Sequence, residues 1–216
     1  SNEIKSLEND LEQLKVSINK ILHFLPNIAL DDVPIGSDEK FNKELSKVGI
    51  IPSFNFEPKS HYEIGKKLNL MDFDVAARTS GARFVFLKGN LAKLERAISD
   101  FMLDTHTKKF DYLEISPPLI ASSDAMFGTG QLPKFENDQF EIKFDEEKNR
   151  KFLIPTAEVI LTNMIREKQL LYEELPLRFV ASTACFRKEA GSYGKDTKGM
   201  LRQHQFYKVE LVSVVE

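Results

Sequence analysis

A single cysteine, Cys185, is all that this 216-residue sequence contains. That excludes an intrachain disulfide and suits a reducing, cytoplasmic setting. No apolar run approaches the roughly 20 residues a helix needs to cross a bilayer. No leader-like segment opens the sequence either, so neither a membrane anchor nor secretion is expected. Charge of neither sign dominates, with a net charge of −3. A bulk field that attracts polyanions is therefore excluded, and any contact with nucleic acid must come from local basic patches. The four histidines, His23, His61, His106 and His204, show no metal-ligand spacing, and Cys185 has no cysteine partner. No zinc site is expected, and His204 reads as support for a sheet. Gly128-Thr129-Gly130 lacks the third glycine and the strand–helix setting of a dinucleotide fingerprint.

What is present is ordinary for a folded protein: 42% hydrophobic and 29% charged residues, which excludes wholesale disorder. The length allows one large domain or a domain with an appendage. Ile4, Leu7, Leu11, Leu14, Ile18, Ile21 and Leu25 recur at alternating spacings of three and four. That is a narrow heptad seam, predicting a helix of about 23 residues and some 35 Å that needs a partner. Self-association and a partner elsewhere in a longer chain both satisfy the seam. Pro26, and the stretch from Asp31 to Gly36 with Pro34, end the helix and form a linker over 31–40. A compact domain is expected from residue 41 onward. Within it, Leu91, Leu94, Ile98, Phe101, Met102 and Thr105 predict a helix with Asn90 as N-cap, followed by an extended Tyr112–Ile115 segment.

The most informative stretch closes the sequence. Residues 178–187 and 202–215 read as two strands of an antiparallel sheet. They are joined by a glycine-bearing cationic loop suited to bending around phosphates. Alternation in the second strand sends Tyr207, Val209 and Leu211 to one face, and Arg202, Phe206 and Glu210 to the other. A cation, an aromatic and a carboxylate make a poor core and a good site for a nucleotide and an amine. Phe206 and Glu210 lie about 13 Å apart at strand rise, the scale of an adenylate carrying a small amino acid. The plainer reading is a solvated ion pair of Arg187 with Glu189 and a core Phe206.

The segment Phe186-Arg187-Lys188-Glu189, running on to Arg202-Gln203-His204-Gln205-Phe206-Tyr207-Lys208-Val209-Glu210, resembles the second class-defining motif of class II aminoacyl-tRNA synthetases in its seryl-tRNA synthetase form. Five upstream segments are similar to that family in its order and spacing. They are His61–Gly65, Gly81-Ala82-Arg83-Phe84, Phe101–His106, Met126–Phe135 and Leu153–Glu158. The resemblance covers nearly the whole chain. It implies an α+β class II fold, an antiparallel sheet flanked by helices and preceded by one helix of an antiparallel coiled-coil arm. Residues 1–30 would be the returning helix of a tRNA-gripping arm, 31–40 the linker and 41–216 the first part of the catalytic domain. The 90–109 helix resembles the first class motif, which builds the family's dimer interface; a core helix packed on a sheet is the plainer pattern reading. The third motif is not expected here, so the chain alone is expected to be inactive.

The implied reaction is serine activation by ATP to seryl-adenylate, then transfer to tRNA(Ser) and also tRNA(Sec). Charge neutralisation and in-line placement are what such chemistry needs. Arg187 is the catalytic candidate, because its planar fork can hold a carboxylate and a phosphate oxygen together. Glu189, two residues on and so on the same strand face, would accept from the adenine amino group, and Phe206 would carry the ring. Gln203 is placed by the resemblance on the nucleotide, and Lys188 as part of the same triplet with its side chain turned away. Thr156, Ala157, Glu158 and Glu210 are implied as the serine pocket. Read alone, Thr156 is a helix N-cap and Glu158 a first-turn carboxylate. Mg2+ is implied with ATP, its ligands expected in the third motif. A homodimer is implied as well. The alternatives are a ligase that loads a carrier protein with an amino acid, and a non-catalytic coiled-coil interaction module.

Overall fold

The computed structural model describes residues 2–143, 149–191 and 198–216. Much of the expected phosphate-bending loop, 192–197, lies outside the described residues. The chain divides into two units, 1–58 and 59–216. The division falls later than residue 41, because 42–58 contribute no helix or strand.

In the first unit, α1 spans Asn2–Leu22. The predicted seam lies along it, each residue about half exposed or more. Leu25 falls outside the helix. The Phe24 and Leu25 amides bond to Ile21 and Leu22 carbonyls (3.0 and 3.2 Å), a tightened last turn. Pro26 disfavours helical backbone at the residue before it, which fixes the stop. Asp38 caps a 3-10 turn at Glu39–Phe41, accepting from the Lys40 amide at 2.9 Å.

In the second unit, α2 (His61–Lys67) opens on a capping box of Ser60 and Glu63. β1 (Met71–Asp72) leads into α3 (Phe73–Thr79), with Asp72 accepting from the Val75 amide at 3.0 Å. β2 (Phe86–Leu87) pairs antiparallel with β1. α4 spans Asn90–Lys109. Its N-cap is Gly89 at φ +55, not Asn90, and no side chain caps it. The Lys88 amide is held by the Leu70 carbonyl (2.8 Å), so the chain must turn sharply one residue later, and glycine reaches that backbone freely. α4 lies on the sheet through half-buried residues such as Leu103 and Thr107. The predicted stripe stays largely outside: Leu94, Ile98, Phe101 and Met102 are 42–70% exposed.

Next come β3 (Leu113–Glu114), β4 (Ile120–Ser122), α5 (Ser123–Gly128), β5 (Glu141–Ile142), β6 (Lys151–Leu153) and α6 (Glu158–Asn163). β7 (Leu177–Phe186) and β8 (Gln205–Val214) complete the chain. One sheet has the order β4-β6-β5, the other β3-β7-β8. The second is not wholly antiparallel, since β3 runs parallel to β7 with Leu113 opposite Phe179. β7 is therefore the central strand and is buried on both faces, as its apolar run requires. One core cluster joins Met126, Phe152, Ile154 and Val159; a second joins Ala157, Leu161, Phe179 and Ala181.

The Val75 amide and then the Lys88 ammonium, 3.1 Å away, hold the Asp72 carboxyl below its ordinary range. A lowered folded-state value means that the stabilisation is complete above the unfolded value of about 3.9 and disappears as pH falls through the folded one. Asp72→Asn keeps a capping oxygen but no charge. The acid-side decline in urea midpoint below about pH 4.5 should be shallower in this variant than in the wild type.

Candidate active site

The site is built where β7 ends and β8 begins, beside the segment joining β6 to α6. Ala181 lies opposite Glu210, Thr183 opposite Lys208 and Cys185 opposite Phe206. Small residues on β7 leave room for the longer side chains of β8 on this face. On β8 the even-numbered residues Phe206, Lys208, Glu210, Val212 and Val214 are the more buried set. Cys185 is fully buried, which pushes its thiol up and makes it an inert packing residue.

Beyond the strands the pairing continues for one residue. The Arg187 amide donates to the His204 carbonyl, and His204 Nδ1 donates to the Arg187 carbonyl, both at 3.0 Å. Arg187 Nε donates to the Pro155 carbonyl at 3.2 Å, and its guanidinium carbon lies 5.2 Å from the Phe206 ring centroid. Its two terminal nitrogens have no hydrogen-bond partner among the described residues. They remain available to a cavity of about 340 Å³, lined by Arg187, Glu189, Arg202, Pro155 and Thr156. Gln131, Phe135, Asp138 and Gln139 complete the lining.

Arg187 and Glu189 do share this cavity, but not through strand alternation. β7 stops at Phe186, and Glu189 is left-handed at φ +52. The neighbouring amides of Lys188 and Ala190 both donate to Asp138, to its carbonyl and its carboxylate, each at 2.8 Å. The Glu189 carboxylate accepts from Arg202 at 2.9 Å with only 17% of its side chain exposed. Lys188 is turned away, its ammonium 5.8 Å from the Phe140 ring. Gln203 is buried but lines a second cavity together with Phe206, and its Nε2 has no partner among the described residues.

The expected serine residues separate. The Thr156 hydroxyl donates to Glu210 and accepts from Lys208 Nζ (3.1 Å) and the Glu158 amide (3.3 Å). Lys208 and Glu210 form an ion pair. Ala157 is fully buried in the second core cluster, and Glu158 is exposed at the start of α6. The polar cluster is thus Thr156, Glu210 and Lys208. Lys208 escaped the sequence reading although the alternation that selected Phe206 and Glu210 also selects it. Among the described residues, no cluster of three or more His, Cys, Asp or Glu is placed to hold a metal ion.

A family model described as the tRNA synthetase class II core domain (G, H, P, S and T) matches residues 135–216, which include most of this site. A serine–tRNA ligase of Pelagibacter ubique is 61% identical over 99% of the chain and 51% of its own length. One from Methylocella silvestris is 52% identical over 98% of the chain and 51% of its length. Along nearly its whole length, this chain is similar to seryl-tRNA synthetases. It spans about half the length of the curated relatives it matches. Among solved structures, the Pyrococcus horikoshii seryl-tRNA synthetase complexed with ATP superposes with a TM-score of 0.82 at 35% identity, covering 96% of this chain and 50% of that one. The Naegleria fowleri serine–tRNA ligase in complex with AMP gives 0.83 at 28%, covering 98% and 49%. The fold is accordingly the α+β fold of class II synthetases.

Lys208→Met would leave the largely buried Glu210 carboxylate with Thr156 as its one neutral partner. Since Lys208 is itself a third exposed, a loss of about 1–2 kcal/mol in urea unfolding is expected, and Lys208→Arg should recover part of it.

Proposed function

We propose that this chain supplies the nucleotide and amino-acid sites of a serine–tRNA ligase. One observation carries the reading: the Arg187 fork, seated on Phe206 and fixed through Nε, opens into the cavity beside a Thr156–Glu210–Lys208 cluster. Relatives of this chain have been solved with ATP and with AMP. In the first step a serine carboxylate oxygen attacks the α-phosphorus of ATP, and the bond to pyrophosphate breaks. Arg187 holds the carboxylate and an α-phosphate oxygen in line and neutralises charge that gathers between them. Phe206 carries the adenine ring, Glu189 accepts from its amino group, and Gln203 and the Lys188 backbone complete the nucleotide contacts. Thr156 and Glu210 take the serine hydroxyl and ammonium, with Ala157 as packing beneath and Glu158 at the rim. A site that hydrogen-bonds a hydroxyl rejects analogues without one.

In the second step a tRNA ribose hydroxyl attacks the seryl carbonyl, and AMP leaves. The acceptor is tRNA(Ser), and tRNA(Sec) where it exists. Mg2+, when bound with ATP, would offset phosphate charge; none of the described residues is assigned to it. Residues 1–30 belong to a tRNA-binding arm, in which α1 is one helix and its exposed seam calls for a second. Residues 31–40 are the linker, and 41–216 the first part of the catalytic domain, most of it in the unit from Lys59 onward. The protein acts in the cytoplasm as a homodimer. The exposed α4 stripe supports the dimer, being too apolar to face water alone.

In the full-length protein, Arg187→Ala should cost about 3–4 kcal/mol of transition-state stabilisation in serine-dependent ATP–pyrophosphate exchange. Exchange within a few-fold of wild type would remove Arg187 from the mechanism. For the dimer, Phe101→Glu puts a charge on the most exposed residue of that stripe. Sedimentation should then show monomer at concentrations where the wild type is dimeric; an unchanged dimer would place the interface elsewhere.

A further inference from the structure

Two residues without a glycine's freedom hold left-handed backbone near the site: Glu189 at φ +52 and Arg83 at φ +64. Such positions are uncommon for these residue types and persist only where the surroundings enforce them. Here they are bonded to each other across 106 residues of sequence, Arg83 Nη1 donating to the Glu189 carbonyl at 3.0 Å. Arg83 is itself tied down, because its carbonyl accepts from the His204 amide at 3.0 Å. The His204 ring lies 5.4 Å from Phe84 and 5.7 Å from Phe140 and bonds the Arg187 carbonyl. The bond therefore runs from a braced residue to the carbonyl of the Glu189–Ala190 peptide, the planar group whose N–H donates to the Asp138 carboxylate, so that this peptide is held at both its ends.

We propose that Arg83 is a positioning residue for recognition of the purine base: its guanidinium locks the turn that aims the Glu189 carboxylate into the cavity. This rests on the functional reading above, in which Glu189 meets the adenine amino group. Arg202 fixes the carboxylate end of Glu189, while Arg83 fixes the backbone end. Without Arg83 the carbonyl end of that peptide is released while Asp138 still holds its N–H, so the peptide can tilt about that bond and the carboxylate loses its aim even though Arg202 still pairs with it. A scaffolding role alone would lower stability and affect both substrates alike. A positioning role falls on the nucleotide, and within it on the 6-position of the ring.

The test compares the full-length wild type with Arg83→Asn and Arg83→Lys. Asparagine tolerates left-handed backbone, so the carbonyl that His204 uses is kept, but its side chain is too short to reach Glu189. Serine-dependent exchange is measured with ATP and with inosine triphosphate, whose ring carries oxygen in place of the amino group. Arg83→Asn should raise the KM for ATP roughly tenfold, the scale of one charged-donor hydrogen bond, and cut the preference for ATP over inosine triphosphate by a similar factor. The KM for serine should stay within about twofold, and Arg83→Lys should restore part of the preference. An unchanged ATP preference in Arg83→Asn, or a serine KM that rises in parallel, overturns the proposal. Should the asparagine variant melt early, Arg83→Gly, which takes φ +64 without strain, carries the same comparison. A wild type without serine-dependent exchange would sink the functional reading instead. Calorimetric affinities for ATP and inosine triphosphate then decide the role of Arg83, and equal ratios in wild type and variant overturn it.

Discussion

The register of β7 against β8 is the constraint on which the site depends. A slip of one residue would carry Phe206, Lys208 and Glu210 to the opposite face, because successive side chains alternate. Three features oppose it. β7 is buried on both faces, so any shift exposes Phe179 or Val180 and buries Arg178. β3 occupies its other edge in parallel. Ala181, opposite Glu210, packs in the same cluster as Ala157 and Leu161, where a larger side chain would not be accommodated.

The short segment from Ile154 to Thr156 converts that register into a site. Its three residues each bond to the hairpin. The Ile154 carbonyl accepts from the Phe186 amide at 2.9 Å, the Pro155 carbonyl holds Arg187 Nε, and the Thr156 hydroxyl meets Glu210. Ile154 is fully buried in the first core cluster, so core packing next to the cavity fixes where the guanidinium lies. Proline at the middle position has no amide to satisfy and keeps the carbonyl that Arg187 needs. Core packing and site geometry are thus the same set of contacts viewed from two sides.

Periodicity carried the sequence reading as far as the backbone stays regular. The strands over 178–187 and 202–215 lie within three residues of β7 and β8, and the face holding Phe206 and Glu210 followed from alternation alone. Alternation failed at Glu189, where the chain leaves the sheet and turns left-handed; nothing in Lys188-Glu189-Ala190 announces that, since the turn is imposed by Asp138 from 50 residues upstream. Asn90 looked like a cap because its type is right, but the backbone constraint set by Leu70 and Lys88 moved the cap to Gly89. The α4 stripe was legible as apolar and not as exposed. One sequence shows which residues are apolar, not which of them the fold leaves uncovered. The serine-type chemistry at Thr156 rested on resemblance, because a threonine after a proline is equally a helix start.

Polar satisfaction in the cavity is uneven, and the unevenness has a direction. Glu189 is paired with Arg202, Glu210 with Thr156 and Lys208, and the Asp138 carboxylate with the Ala190 amide. The negative groups are compensated internally, whereas Arg187 spends one nitrogen on Pro155 and keeps its terminal pair open. A guanidinium fixed at its base and open at its fork needs little rearrangement to receive two anionic oxygens, and fixed donors stabilise developing charge better than ones that must reorient. In the proposed reading, the field that draws a nucleotide to a chain of net charge −3 is that of one oriented cation over an aromatic ring, not the sum over the surface.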